Sequence, residues 1–289
     1  MQHTHLMNSR IPALGLILIP LFAAACGGGD SAAFADESSS IEVAAGVSSS
    51  GTAPNQAADA PPYGGPSVGA AKGFSVLASS AISALSRSAV SGNLGLSGAR
   101  VSNITGFEPG SALEFGTDAS SPNTLRTTLT QQEVSRLVSD LDLRACDVDY
   151  PSAGSDATAE VTLSPGVTCL DEAARLSGRI TLDAGGDPNA FFVVRSKRAL
   201  TVTDDTRVVL ANGAQACGVF WRAPQQVTLG KAVELYGNLI AGAGISMSSG
   251  STLVGRALSQ TGAVVLDGNT ITLPVYGPNG SPGACSHVQ

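Results

Sequence analysis

Histidines, carboxylates and cysteines are the side chains here that could carry out covalent or metal chemistry, and their positions exclude most of it. The chain has three histidines. His3 and His5 stand in the N-terminal segment and His287 in the tail, so none falls in the stretch between. Ser-His-Asp and Cys-His nucleophile systems need an imidazole beside the nucleophile, and His-based metal sites need several. Neither can be assembled. Phosphate cradles are excluded too, because no GxxxxGK[ST] and no strand-linked GxGxxG occurs. The carboxylates Asp183, Asp187, Asp204, Asp205 and Glu234 could supply the acid pair of a polysaccharide-cleaving site. The competing use is turn chemistry, above all for Asp183 and Asp187 around Gly185-Gly186. Of the aromatics, Trp221 and Tyr236 could stack on sugars, whereas Phe191, Phe192 and Phe220 lie in apolar runs that read as core. No enzyme, no cofactor and no metal site is expected; a polysaccharide-active protein is the remote alternative.

The five cysteines are Cys26, Cys146, Cys169, Cys217 and Cys285. Arg10, the apolar run Ile11 to Ala25 and then Cys26 follow the charged, apolar, small order of a secretory signal. With Ala23-Ala24-Ala25 before it and Gly27-Gly28-Gly29 after it, Cys26 reads as a lipobox cysteine: residues 1–26 are a bacterial lipoprotein-type signal segment, and the membrane is a partner through a lipid anchor. Export with anchoring to the outer membrane or cell surface is expected, with plain secretion as the alternative. The remaining four cysteines allow three pairings in an oxidising compartment. Sequence order favours Cys146 with Cys169 and Cys217 with Cys285, and thiolate–metal binding is disfavoured because no CxxC spacing occurs.

These residues must be positioned by the surrounding chain. Residues 27–63 are Gly, Ser, Ala, Asp and Pro with almost no large apolar side chain, the composition of a flexible tether. Residues 64–276 are long enough for one β domain, and 277–289 form a short tail carrying Cys285. The formal net charge is -7, and no basic run exceeds Arg195 to Arg198, so nucleic acid is not an expected partner.

The C-terminal third repeats. VTLGKAVELYGNLIAGAG (Val227 to Gly244) lies over ISMSSGSTLVGRALSQTG (Ile245 to Gly262), and VVLDGNTITLP (Val264 to Pro274) starts the unit again. Val227, Ile245 and Val264 then coincide, as do Leu235, Leu253 and Ile271. Short apolar/polar alternations broken by Gly predict strands and turns that coil, with one apolar row per face pointing inward. Ala89 to Phe107 repeats the step Gly237-Asn238-Leu239 as Gly92-Asn93-Leu94, so the coil is expected to begin there. One segment departs from this pattern: Thr130 with Glu133 reads as a capping box, Leu129 and Val134 as a hydrophobic staple, and Val134, Leu137, Val138, Leu141 and Ala145 as the buried stripe of a helix of about four turns.

The runs GFSVLASSAIS (Gly73 to Ser83), SGNLGLSG (Ser91 to Gly98), GFEPG (Gly106 to Gly110), LSPGVTCL (Leu163 to Leu170), ITLDAGGDPNAFFVV (Ile180 to Val194), VVLANGAQACGVFW (Val208 to Trp221) and VGRALSQTGAVVLDGNTIT (Val254 to Thr272) resemble, in order and spacing, the ice-binding-protein-like family. The resemblance implies a mainly β fold: an irregular, triangular, right-handed β-solenoid with one long α-helix alongside. It also implies a monomer that adsorbs to an ice crystal surface through one flat face, without cofactor or turnover. Such a face needs small side chains whose stiff β-branched rotamers keep hydroxyls and methyls in plane. The candidates are Thr201, Thr203, Thr228, Ser246, Ser248, Ser249, Ser251, Thr252 and Thr270. The slot shared by Thr252 and Thr270 holds Glu234 one unit earlier, with Lys231 and Tyr236 nearby. An exposed charged and aromatic cluster of that kind would suit the alternative role, a cell-surface structural or adhesion lipoprotein on the same fold.

Overall fold

The repeat becomes a hydrogen-bonded ladder. Val227 pairs with Ile245 and Ile245 with Val264 in parallel register, and Leu235, Leu253 and Ile271 do the same. In the computed structural model the described residues are 65–276 and 284–285, apart from 111, 113, 118–123, 151–159 and 171–172. The signal segment 1–26 with Cys26, the tether 27–63, and the tail other than 284–285 lie outside them.

The strands stack as coils with three faces. The first face runs through the strands Val148–Tyr150, Gly166–Leu170, Phe192–Ser196, Val219–Ala223, the second halves of Glu234–Ala241 and Thr252–Ser259, and then Phe74–Ala78, Asn93–Leu96 and Glu114–Phe115. The second is a seven-stranded sheet of Ala173–Leu176, Ala199–Val202, Val227–Leu229, Ile245–Met247, Val264–Asp267, Ile82–Ser86 and Ile104–Thr105. The third holds Val161–Leu163, Arg179–Asp183, Arg207–Ala211, the first halves of Glu234–Ala241 and Thr252–Ser259, then Thr270–Thr272 and Ala89–Val90. Leu200, Val202, Leu229, Met247, Leu253 and Leu266 point into the interior with Trp221, whose indole N–H donates to Tyr236 O at 2.8 Å. Satisfying that donor is what lets the largest side chain be fully buried.

Chain order is not stacking order. Phe74–Ala78 lies beside Thr252–Ser259, with Val76 against Ala257, so the N-terminal coils continue the stack beyond the C-terminal ones. Leu94 joins the inward column of Val76, Ala257 and Leu239, which is the structural meaning of the repeated Gly-Asn-Leu step. The chain must therefore travel from one end of the stack, at Glu114–Phe115, to the other, at Val148–Tyr150. Helix α1 (Thr124–Leu143) makes this journey. At 1.5 Å per residue its 20 residues span about 30 Å, or about six strand rows. Val134, Leu137, Val138 and Leu141 pack on Phe74, Leu77, Leu258, Ile240, Phe220, Val193 and Val167, which lie on six successive rows of the first face.

The expected buried stripe is present, but the helix begins earlier than the capping box implies. Thr130 lies inside it, buried, with Oγ1 donating back to Arg126 O at 2.7 Å. Leu129 is exposed, so no staple forms, and Glu133 pairs with Arg136 on the surface. Ala145 lies past the last helical residue. The C-terminal end is held by two arginines of the first face. Arg195 donates to Leu141 O at 2.8 Å and to Asp142 O at 2.6 Å, and buried Arg222 binds the Asp142 carboxylate at 2.8 and 3.0 Å. Both place positive charge where the helix dipole is negative.

Cys146 and Cys169 form a disulfide with Cα atoms 5.7 Å apart, tying the chain after the helix to the solenoid. Cys217 is also disulfide-bonded. The short strand Ala284–Cys285 packs against the turn Ala216–Gly218. Pairing of Cys217 with Cys285 remains the expectation, since the side chain of Cys285 lies outside the described residues.

Candidate functional site

In a strand, alternate side chains face out, so each coil of the second sheet offers the outside one central position. Register turns these positions into a column: Arg175, Thr201, Thr228, Ser246, Val265, Ser83 and Thr105, in stacking order. Thr201, Thr228 and Ser246 are consecutive, and Val265 has the shape of Thr with a methyl in place of the hydroxyl. On one side the flanking positions are Ala199, Gln226, Gly244, Ala263 and Ala81, placed by the bonds Leu200 N to Gln226 O, Val227 N to Gly244 O, Ile245 N to Ala263 O and Val264 N to Ala81 O. On the other side come Thr203, Gly230, Ser248 and Asp267. Charge is confined to the margins: Arg175 at one end and Asp267 at the rim, where it accepts from Ser86 Oγ. The centre is neutral, and its side chains are short, half-buried and locked by neighbours about 4.8 Å away on either side.

The other two candidate threonines lie elsewhere. Thr252 and Thr270 occupy a column of the third face that reads Arg179, Arg207, Glu234, Thr252, Thr270 and Ala89. Glu234 stands directly beside Thr252 and pairs with Arg207 at 3.3 Å. Tyr236 and Val254 stand in the adjacent column of this face. Thr201, Thr203, Thr228, Ser246 and Ser248 therefore belong to a neutral surface, and Thr252 and Thr270 to a charged one.

The corner between these faces explains the rest. Each turn there needs a residue in the left-handed region: Gly178 (φ 75), Asp205 (φ 57), Ala232 (φ 53), Gly250 (φ 73) and Gly268 (φ 61) form a ladder. Ala232 is the misfit, because a Cβ is disfavoured in this conformation. Ala232→Gly is expected to raise stability by a few tenths to about 1 kcal/mol, the relieved strain minus the added unfolded-state freedom of Gly; urea unfolding checks it. Ser249 is exposed on the turn beside Gly250. Ser251 is fully buried, its Oγ donating to Ser248 O at 2.8 Å and accepting from Asn269 Nδ2 at 2.8 Å. It offers nothing to a surface ligand, and its part is to satisfy the corner's polar groups.

The carboxylates serve turns and pairs. Asp183 accepts from Gly185 N at 2.8 Å and from Asn212 Nδ2, and these donors, the backbone one first, hold its carboxyl below the usual carboxylate range. Asp187 accepts from Asn189 N at 2.9 Å and Asp204 from Lys231 N at 2.8 Å. Among the described residues, one trio of ligand-type side chains lies close enough to share a cation, Cys146, Asp149 and Cys169, and two of the three are spent on the disulfide.

A parallel-stranded scaffold that spends its carboxylates on turns and turns one neutral hydroxyl lattice outward defines a surface-binding solenoid. Residues 76–272 match the profile of the family described as ice-binding-like, and the chain belongs to that family. An ice-binding protein of Nostoc sp. strain HG1 is 33% identical over 210 residues, covering 72% of this chain and 74% of the relative. One from Flavobacterium frigoris strain PS1 is 27% identical over 285 residues, covering 92% and 98%. The crystal structure of an ice-binding protein from the Antarctic ascomycete Antarctomyces psychrotrophicus superposes with a TM-score of 0.63 at 29% identity, covering 72% of this chain and 98% of that one.

Proposed function

We propose that this chain is an exported, non-catalytic ice-binding protein that adsorbs to ice through the seven-stranded face. The observation that carries this reading is the uninterrupted Thr201, Thr228, Ser246, Val265, Ser83 column, with Ala199, Gln226, Gly244, Ala263 and Ala81, uncharged throughout, beside it. Ice is a periodic array of oxygens and offers no pocket, so affinity must come from many small matched contacts. A lattice of short hydroxyls and methyls, spaced by the strand repeat and, at Thr201, Thr228 and Val265, restricted in χ1 by β-branching, loses little side-chain freedom when the water layer over it orders. The charged third face lacks this property, because the hydrated Arg179, Arg207 and Glu234 side chains project above any plane through Thr252 and Thr270. The purified chain should show a gap between melting and freezing points and faceted crystals; growth as smooth discs with no gap contradicts the reading.

We further propose that the protein is held at a membrane. The AAAC step before Gly27 supports lipidation at Cys26, with 27–63 as spacer. Cys26→Ser is expected to move the protein from the membrane fraction to the soluble fraction of a bacterial host. Identical fractionation of both forms would remove the anchor from the account.

A further inference from the structure

Arg256 is a fully buried cation that the proposed ice face does not use. It lies at the start of the first-face half of Thr252–Ser259, one residue before Ala257, the partner of Val76. Its Nη2 and Nε donate to Lys72 O at 2.8 and 3.3 Å, and its Nη1 donates to Asn238 Oδ1 at 3.1 Å. Asn238 in turn donates through Nδ2 to Val219 O at 3.0 Å. Three successive coils, at Val219, Asn238 and Arg256, are thus wired by side chains to the carbonyl of Lys72, two residues before the first strand Phe74–Ala78. That strand is no edge: it is paired on one side with Thr252–Ser259 and on the other with Asn93–Leu96.

We propose that Arg256 makes the N-terminal start of the solenoid a junction that resists pulling, so that the molecule can hold ice against tension applied from Cys26 through residues 27–64. This rests on the reading that ice sits on the seven-stranded face and adds to it cell-to-ice adhesion in place of free inhibition of growth. A chain held at its N-terminus and stuck to ice on its solenoid is pulled along Gly65 to Phe74. Along that path the turn Gly69–Gly73 first packs on α1 with Ala71 buried, and the charge-assisted pair on Lys72 O then ties it to the coils in a buried site where water does not compete for the guanidinium. Beyond them the load meets two parallel ladders whose bonds must break together.

Single-molecule pulling tests this on the full chain with its disulfides formed. One handle is attached at Cys26 and the other at Ser246→Cys on the seven-stranded face; a second geometry replaces the Cys26 handle by one at Gln289→Cys. At fixed force, Arg256→Gln is expected to raise the rupture rate by about tenfold in the N-terminal geometry, as suits the loss of charged hydrogen bonds, and by less than about twofold in the C-terminal one. An equal rise in both geometries would mean that Arg256 merely stabilises the fold, and no rise in either would mean that it bears no load; both overturn the proposal. If Arg256→Gln does not fold, Arg256→Lys, which keeps the charge but loses the fork, is read against the same outcomes. Neither geometry involves ice, so failure here leaves the ice-face reading standing, and absence of ice affinity leaves the pulling result interpretable.

Discussion

Gly255→Ala should unfold the domain or lower its melting temperature by about 10 °C or more, one of the largest stability effects expected of a single added methyl among the described residues. The strands Glu234–Ala241 and Thr252–Ser259 each run without a break from the third face to the first, bending at Gly237 and Gly255. At that bend consecutive coils touch backbone to backbone. A Cβ on Gly255 would stand 1.7 Å from Gly237 O and 2.6 Å from Gly237 C, atoms that cannot swing aside as a side chain does. Relief requires the coils to separate, which breaks the ladder that builds both faces. Thermal unfolding followed by circular dichroism reads the effect, and a variant melting within about 3 °C of wild type would show that the bend has slack the geometry does not reveal.

Thr228→Tyr carries the largest expected effect on function: loss of at least nine-tenths of the thermal hysteresis, with the melting temperature of the protein unchanged. Thr228 lies between Thr201 and Ser246 in the middle of the hydroxyl column. Its side chain already points outward, so a ring there meets no core atom. It does stand above the plane and holds the neighbouring coils away from a flat crystal, so many contacts fail at once. Thr252→Tyr, on the charged face, is the matched control and should retain the activity. Glu234→Thr should change little, because it edits a face that the account leaves out of ice contact.

How far these residues were legible in the sequence depended on repetition. Where the unit recurs, the aligned positions Val227, Ile245 and Val264 gave the register outright, and Thr228 over Ser246 came with them. Alternation alone cannot say which of two outward slots in a coil belongs to which face, since that is set by the corner turn. Thr228 and Thr252 therefore looked alike although a left-handed turn at Gly250 divides their faces. Ser251 looked like one more small polar surface residue beside Ser248 and Ser249, yet the turn folds its hydroxyl inward onto Ser248 O. Ser83 and Thr105 carried no signal, because the full repeat of the C-terminal third does not extend to them and they reach the face through Ser83 pairing with Val265, across most of the chain, and Thr105 pairing with Ser83. The helix stripe was legible from its period, but Thr130 and Glu133 imitate a cap at a place where the backbone is already helical from Thr124. A local motif cannot reveal that tertiary packing has started the helix about two turns earlier.

The central claim is that a particular surface of this chain adsorbs to ice, and partitioning during slow freezing tests it most directly. Wild-type chain and Thr228→Tyr, each fluorescently labelled at the N-terminal amine, are mixed with excess water and frozen from a seed as a growing ice hemisphere. Adsorption predicts that the wild type is carried into the ice at close to its starting concentration while Thr228→Tyr is swept into the residual liquid. Exclusion of both proteins would contradict ice binding by this chain, and incorporation of both would contradict the assignment of the seven-stranded face.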